Sequence, residues 1–249
     1  MPQESPQLNT NIESPSAARV ENIVLVHGAF ADGSSWSRVI PLLQQMGYNV
    51  AAVQNPMTSL ADEVAFTKRI IALQDGPVIL VGHSWGGAIV TQAGDDPQVA
   101  ALVYITAYAP EVGESSNDAG RPYGWTPGQQ QIHLSAGKFA TLTPKGMLDY
   151  VTEGLPMNER LLALATQGQS YGPMFDEKLT VAAWKTKPNW ALISTKDQML
   201  PPAMEEMMAK RMNAVTTTVA SCHMVIQQEP VAVAAVIDQA ARNALTSTR

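Results

Sequence analysis

The 249-residue sequence contains one cysteine, Cys222. A single thiol cannot close an internal disulfide, and neither a Cys-rich zinc site nor a CxxC redox pair can be drawn from it. Cysteine usage therefore says nothing about compartment. Positive charge is also short: 16 Lys and Arg stand against 22 Asp and Glu, a formal net charge of −6. Without a basic stripe to neutralise phosphates, nucleic acid is not an expected partner, and a small organic molecule fits better. No stretch approaches the roughly 18 to 20 consecutive apolar residues of a membrane span. The opening "MPQESPQLNTNIESPSAARVEN" has no apolar core for a signal peptide. The expectation is a cytoplasmic chain, although a trimmed exported form would have the same composition. Internal repeats are absent, and so is low complexity beyond that polar, Pro- and Ser-bearing opening, which reads as a disordered tail over residues 1–19.

What is present suits a folded domain. With 45% hydrophobic and 15% charged residues, the chain can bury one sizeable core. Six short apolar, β-branched runs read as strands: 22–28, 48–53, 77–83, 101–106, 190–194 and 216–220. The first, third and fourth scarcely alternate, as expected of strands covered by helices on both faces. Helices are expected at 35–46, 59–73, 85–94, 202–212 and 230–245. Pro41 interrupts the first and moves its expected start toward residue 38, with the proline in the first turn. In the second, Leu60, Val64, Phe66, Ile70, Ile71 and Leu73 are read as one broad apolar face, opposite Asp62, Glu63, Lys68 and Arg69. The alternation of strand and helix predicts an α/β fold with a mostly parallel six-stranded sheet and helices on both faces.

That alternation stops between about Pro110 and Lys187 and resumes at "NWALIS". The stretch is too long for a bare loop between two sheet strands. It reads as a mainly helical cap, with "KGMLDYVTEGL" and "NERLLALATQG" as its helices. The expected organisation is a tail at 1–19, core at 20–109 and 188–249, and a cap insertion at 110–187.

The chemistry concentrates at "VILVGHSWGGAIV", a strand, a tight turn and a helix start, with Gly82 and Gly86 two residues either side of Ser84. This is the nucleophile-elbow pattern GxSxG. Its glycines permit a strained serine backbone and a close crossing of strand and helix. A serine hydroxyl needs a base. Proteins built on this elbow supply it in the chain order serine, acid, histidine. Of four histidines, only His223, in "VASCHMVIQQEP", lies late on a loop between the last strand and the C-terminal helix. Asp197, in "WALISTKDQMLPP", follows a strand and precedes His223, so it is the candidate to hold the imidazole tautomer. Glu111, after "ALVYIT", is the competing acid. His27 is read as structural and His83 as pointing away from the nucleophile, while His133 in the cap either touches substrate or faces water. The backbone amides of Trp85 and Ala29, less so Phe30, are candidate oxyanion donors. Phe30 and Met224 are candidate pocket walls.

With "LVHGAF", "GHSWGG", "STKDQMLPP" and "CHMVIQQEP" in order, the chain resembles the α/β-hydrolase superfamily from residue 21 to about 245. Within it, the pattern is similar to bacterial esterases akin to plant methyl esterases and hydroxynitrile lyases. The resemblance implies a triad of Ser84, Asp197 and His223, an oxyanion hole from the amides of Ala29 and Trp85, a cap over the acyl pocket, and no cofactor or metal. The lyases of that group carry a threonine where this chain has Gly28 and a lysine where it has Met224; both departures favour ester hydrolysis. The expected function is hydrolysis of a small carboxylic ester through an acyl-enzyme. Lactone hydrolysis by the same triad is the alternative; a lyase or a non-catalytic receptor ranks lower.

Overall fold

A computed structural model describes residues 19–245. The expected N-terminal tail lies outside the described residues except Arg19, whose guanidinium donates to the carbonyl of Met46 at 2.9 Å and stacks 4.2 Å from the centre of the Tyr48 ring.

Six strands form one sheet, and each hydrogen-bonded pair in it is parallel. In chain order the elements up to the insertion are β1 (Asn22–Val26), α1 (Ile40–Gln45), β2 (Asn49–Ala52), α2 (Leu60–Ile71), β3 (Val78–Ser84), α3 (Gly86–Ala93) and β4 (Val99–Ala107). After it come β8 (Asn189–Ser194), α6 (Pro202–Arg211), β9 (Val215–Val219), α7 (Val225–Gln228) and α8 (Pro230–Asn243). The sheet order is β2-β1-β3-β4-β8-β9. The inner strands β1 and β3 are buried along their whole length, which is why their sequences do not alternate. β9 closes one edge with a half-exposed run of threonines.

The first helix region is shorter than its sequence suggests. A 3₁₀ turn at Gly33–Trp36 comes first, and α1 begins only at Ile40, with Pro41 in its first turn, where a missing N–H costs nothing. Ser59 caps α2 by accepting the N–H of Asp62. The buried stripe of α2 is Leu60, Glu63, Thr67 and Ile71, spaced three and four residues apart. This corrects the expected apolar face: Glu63 turns inward, while Leu73 is 77% exposed and Phe66 lies at the surface under the guanidinium of Arg69. Hydrophobicity alone misplaced the face because two polar residues occupy it.

Between β4 and β8 the chain builds α4 (Ser116–Gly120), β5 (Ile132–Leu134), β6 (Phe139–Leu142), a π-helical turn at Gly146–Val151, α5 (Met157–Thr166) and β7 (Ser170–Tyr171). The two helices expected here are the π-helical turn and α5. Added to them is a three-stranded antiparallel sheet, β5-β6-β7, that the residue pattern did not announce. Among the described residues no helix is long and apolar enough to cross a membrane.

Candidate active site

Ser84 ends β3 with a φ of 54°, a left-handed conformation that a residue with a side chain adopts only under constraint. The constraint comes from its flanking glycines. A Cβ on Gly82 would lie 2.5 Å from the carbonyl oxygen of Gly86, and a Cβ on Gly86 would lie 2.6 Å from that of Val26 in β1. Only bare backbone lets β1, β3 and α3 meet this closely, and the crossing lifts the Ser84 side chain out of the sheet at the carboxyl ends of the strands.

The structure brings Ser84, Asp197 and His223 together from three segments. His223 Nε2 lies 3.0 Å from Ser84 Oγ, and His223 Nδ1 lies 2.7 Å from Asp197 Oδ2. The other oxygen of Asp197 accepts the N–H groups of Met199 and Leu200 at 2.6 and 2.9 Å. All three side chains are buried. An acceptor-only carboxylate on Nδ1 requires that nitrogen to carry the proton, which leaves Nε2 free to accept from the serine hydroxyl. Glu111, the competing acid, instead pairs with Lys185 at 2.6 Å.

His83 proves to be a partner of the site rather than a bystander. Its Nε2–H donates to the backbone carbonyl of His223 at 2.9 Å, and the two ring centres lie 4.9 Å apart. Burial, followed by the proximity of His223, pushes the His83 pKa down to about 3, so this ring is a neutral support. The sequence signal for it, a histidine beside the elbow serine, was visible, but its target lies 140 residues away. His27 is fully buried; its Nδ1–H donates to the Gly28 carbonyl at 2.8 Å, and its Nε2 accepts the Asn55 N–H at 3.1 Å. His133 sits exposed in β5, outside the cavity wall.

Behind Asp197 stands an unanticipated carboxyl, Glu205 in α6. It is buried, and burial followed by the charge of Asp197 holds its pKa well above the usual carboxylate range, against the pull of the Ser194 backbone. The methionine-rich stretch around it packs the same helix, with Met204 and Met208 buried.

Above the serine opens a cavity of about 550 Å³. Ala29, Phe30, Trp85 and Met224 line it, as do Leu162 of α5 and Phe175 from the insertion. Phe175 packs edge-on against Trp85, ring centres 5.1 Å apart, and lies 6.4 Å from Phe30. Among the described residues the N–H groups of Ala29 and Trp85 meet no protein acceptor, whereas the N–H of Phe30 donates to Ser170 Oγ at 3.2 Å. Of the two sequence candidates after β1, only Ala29 has a free amide. A Cβ on Gly28 would lie 2.7 Å from Ser84 Cβ, so a threonine at that position would collide with the nucleophile candidate. No cluster of three or more His, Cys, Asp or Glu side chains that could hold a metal ion occurs among the described residues.

Comparison with known proteins bears on the family of the chain. A pyrethroid hydrolase of Sphingobium wenxiniae is 27% identical over 217 residues, covering 77% of this chain and 76% of its own. Methylesterase 2 of Arabidopsis thaliana is 28% identical over 130 residues, covering 43% of this chain and 49% of its own. The crystal structure of a pyrethroid hydrolase from Sphingobium faniae superposes with a TM-score of 0.77 at 23% identity, covering 92% of this chain and all of the other. The family model described as "Alpha/beta hydrolase family" matches residues 23–236, most of the chain. This chain belongs to the alpha/beta hydrolase family.

Proposed function

We propose that this chain, a carboxylic ester hydrolase, works through an acyl-enzyme on Ser84. His223 takes the proton of Ser84 as Oγ attacks the ester carbonyl, and then gives it to the departing alcohol. Asp197 keeps the imidazole in its Nδ1–H tautomer and stabilises the imidazolium. The same base then activates a water, which frees the acid product. The negative charge that develops on the carbonyl oxygen meets the amides of Ala29 and Trp85.

The observation that carries this reading is the unbroken relay from Ser84 Oγ through His223 to Asp197, at 3.0 and 2.7 Å, on a serine held at φ 54°. The cavity supports an apolar ester as substrate: about 550 Å³ is room for a ligand of drug-like size. Similarity to a pyrethroid hydrolase and to a methylesterase supports ester chemistry over cyanohydrin cleavage. Met224, beside the histidine, offers no cation for a leaving cyanide.

The test is release of p-nitrophenol from a short-chain ester by wild type and Ser84→Ala at neutral pH. The alanine variant should lose activity by roughly 10⁴-fold or more while keeping its melting temperature within a few degrees. Equal turnover by the two proteins would remove Ser84 from the mechanism.

A further inference from the structure

The turn that follows β1 is held from two directions. From the core, His27 Nδ1–H draws the Gly28 carbonyl toward itself at 2.8 Å. In a planar trans peptide the N–H points opposite to the carbonyl, so this bond turns the Ala29 N–H away from His27. From the insertion, Ser170 in β7 takes the next amide: Phe30 N–H donates to Ser170 Oγ at 3.2 Å, and the Phe30 carbonyl accepts the Gly168 N–H at 3.2 Å. The following residue of β7, Tyr171, donates its N–H to the Met57 carbonyl at 2.8 Å. Both core residues gripped by β7 have left-handed backbone, Phe30 at φ 62° and Met57 at φ 58°. Such conformations persist only where their surroundings over-determine them. Ser170 is fully buried, so water does not replace its hydroxyl if it is removed.

Resting on the serine-hydrolase reading, we propose that Ser170 is a positioning residue for oxyanion stabilisation: from the cap, it fixes the Ala29–Phe30 peptide so that the Ala29 amide stays aimed at the carbonyl oxygen of an ester bound at Ser84. Without its Oγ, the Phe30 N–H is buried with no acceptor, and the turn relaxes toward an ordinary negative φ that carries the Ala29 amide off target. Charge on the carbonyl oxygen develops only on the way to the tetrahedral intermediate, so the loss falls on kcat and not on KM. Movement of β7 away from the core would thus slow the chemical step.

Wild type, Ser170→Ala and Ser84→Ala are compared in three measurements: p-nitrophenyl ester kinetics, thermal unfolding, and inhibition by an arylboronic acid. The boron of that inhibitor takes Ser84 Oγ and places an oxygen where the oxyanion would sit. Ser170→Ala should lower kcat about 10- to 100-fold, less than outright loss of a donor. KM should stay within about twofold, and the boronic acid should weaken by the same factor as kcat. A kcat and boronic-acid affinity equal to wild type would overturn the proposal, as would a kcat loss with unchanged boronic-acid affinity. Should Ser170→Ala not fold, Gly168→Pro removes the second bond to Phe30. Gln167 already has the extended backbone that precedes proline, and a Cβ at residue 168 would meet nothing nearer than 3.8 Å. It should show a roughly three- to tenfold loss with the same boronic-acid signature, and unchanged affinity would again overturn the proposal. A wild type no more active than Ser84→Ala, with neither taking up the boronic acid, would sink the serine reading and this inference with it. An active wild type matched by Ser170→Ala would sink the clamp alone.

Discussion

Helices α3 and α5 serve the same cavity and are held by opposite means. α3, which begins one residue past Trp85, buries seven of its eight residues between β1, β3 and β4, and its glycines touch backbone directly. α5 buries none of its ten. It is tied down at its rim, where Glu159 pairs with Arg38 and Arg160 donates to the Leu148 carbonyl at 2.6 Å. Arg38 also donates to the Gln227 carbonyl at 2.7 Å in α7, four residues past His223. The support of the candidate nucleophile is thus fixed by packing that admits no extra atom, whereas the cap helix rests on polar ties and exposes Met157, Leu161 and Leu162. Of the two helices, the loosely held α5 lends side chains to the cavity wall, including Leu162 and Ala163, and none comes from the buried α3.

The contrast can be broken most severely at Gly86. Gly86→Ala places a methyl 2.6 and 2.8 Å from two carbonyl oxygens of the chain at and just past β1. Neither can retreat without unpairing strands, so stability should fall by about 3 kcal/mol or more in urea unfolding, if folded protein is recovered at all. A loss below about 0.5 kcal/mol would mean that the crossing is softer than its contacts suggest.

Next in size is a pH effect in α2, a helix that packs on α3. Burial pushes the Glu63 carboxyl from its ordinary 4.5 up to about 7, against the pull of the Thr58 and Met57 amides. A raised carboxylate pKa means the fold favours the neutral acid. Its contribution to stability is complete below pH 4.5 and is lost as pH rises through about 7. Glu63→Gln should remove that loss, on the order of 2 kcal/mol, and flatten the urea midpoint between pH 4.5 and 8. Parallel pH profiles for the two proteins would show that Glu63 is solvated in the fold.

The smallest effects are expected on α5. Leu161→Ala and Leu162→Ala should each shift unfolding by about 0.5 kcal/mol or less, since both side chains are at least half exposed. Only Leu162 lines the cavity, so only its variant should raise KM for bulky esters. A matching change from Leu161→Ala would mean that α5 presents a different face to substrate.

How far the sequence spoke differs between the same two regions. β1, β3 and β4 could be read because strands covered on both faces are apolar without interruption, and the elbow because steric crowding restricts residues 82 and 86 to glycine. Ser84, Asp197 and His223 were identifiable as candidates because Ser84 ends a strand of the sheet and the other two follow later strands of it. The sheet of the insertion was not legible: β5, β6 and β7 have three, four and two residues, too few for alternation to register. Nor were the buried Glu63 and Glu205, whose residue type ordinarily marks a solvated face. The ties of His83 and Ser170 were hidden for another reason: a hydrogen bond to the backbone of a residue 140 positions away leaves no trace in local pattern.

Those same separations bear on how the protein acquires its site during folding. Ser84 meets His223 across 139 residues and Phe30 meets Ser170 across 140, and the six-stranded sheet that carries Ser84 has only parallel neighbours. Closing such loops is slow compared with forming helices or local turns. On refolding, helical signal should therefore return well before ester turnover, and a chain stalled before β8 and β9 dock would have its serine elbow but lack both Asp197 and His223.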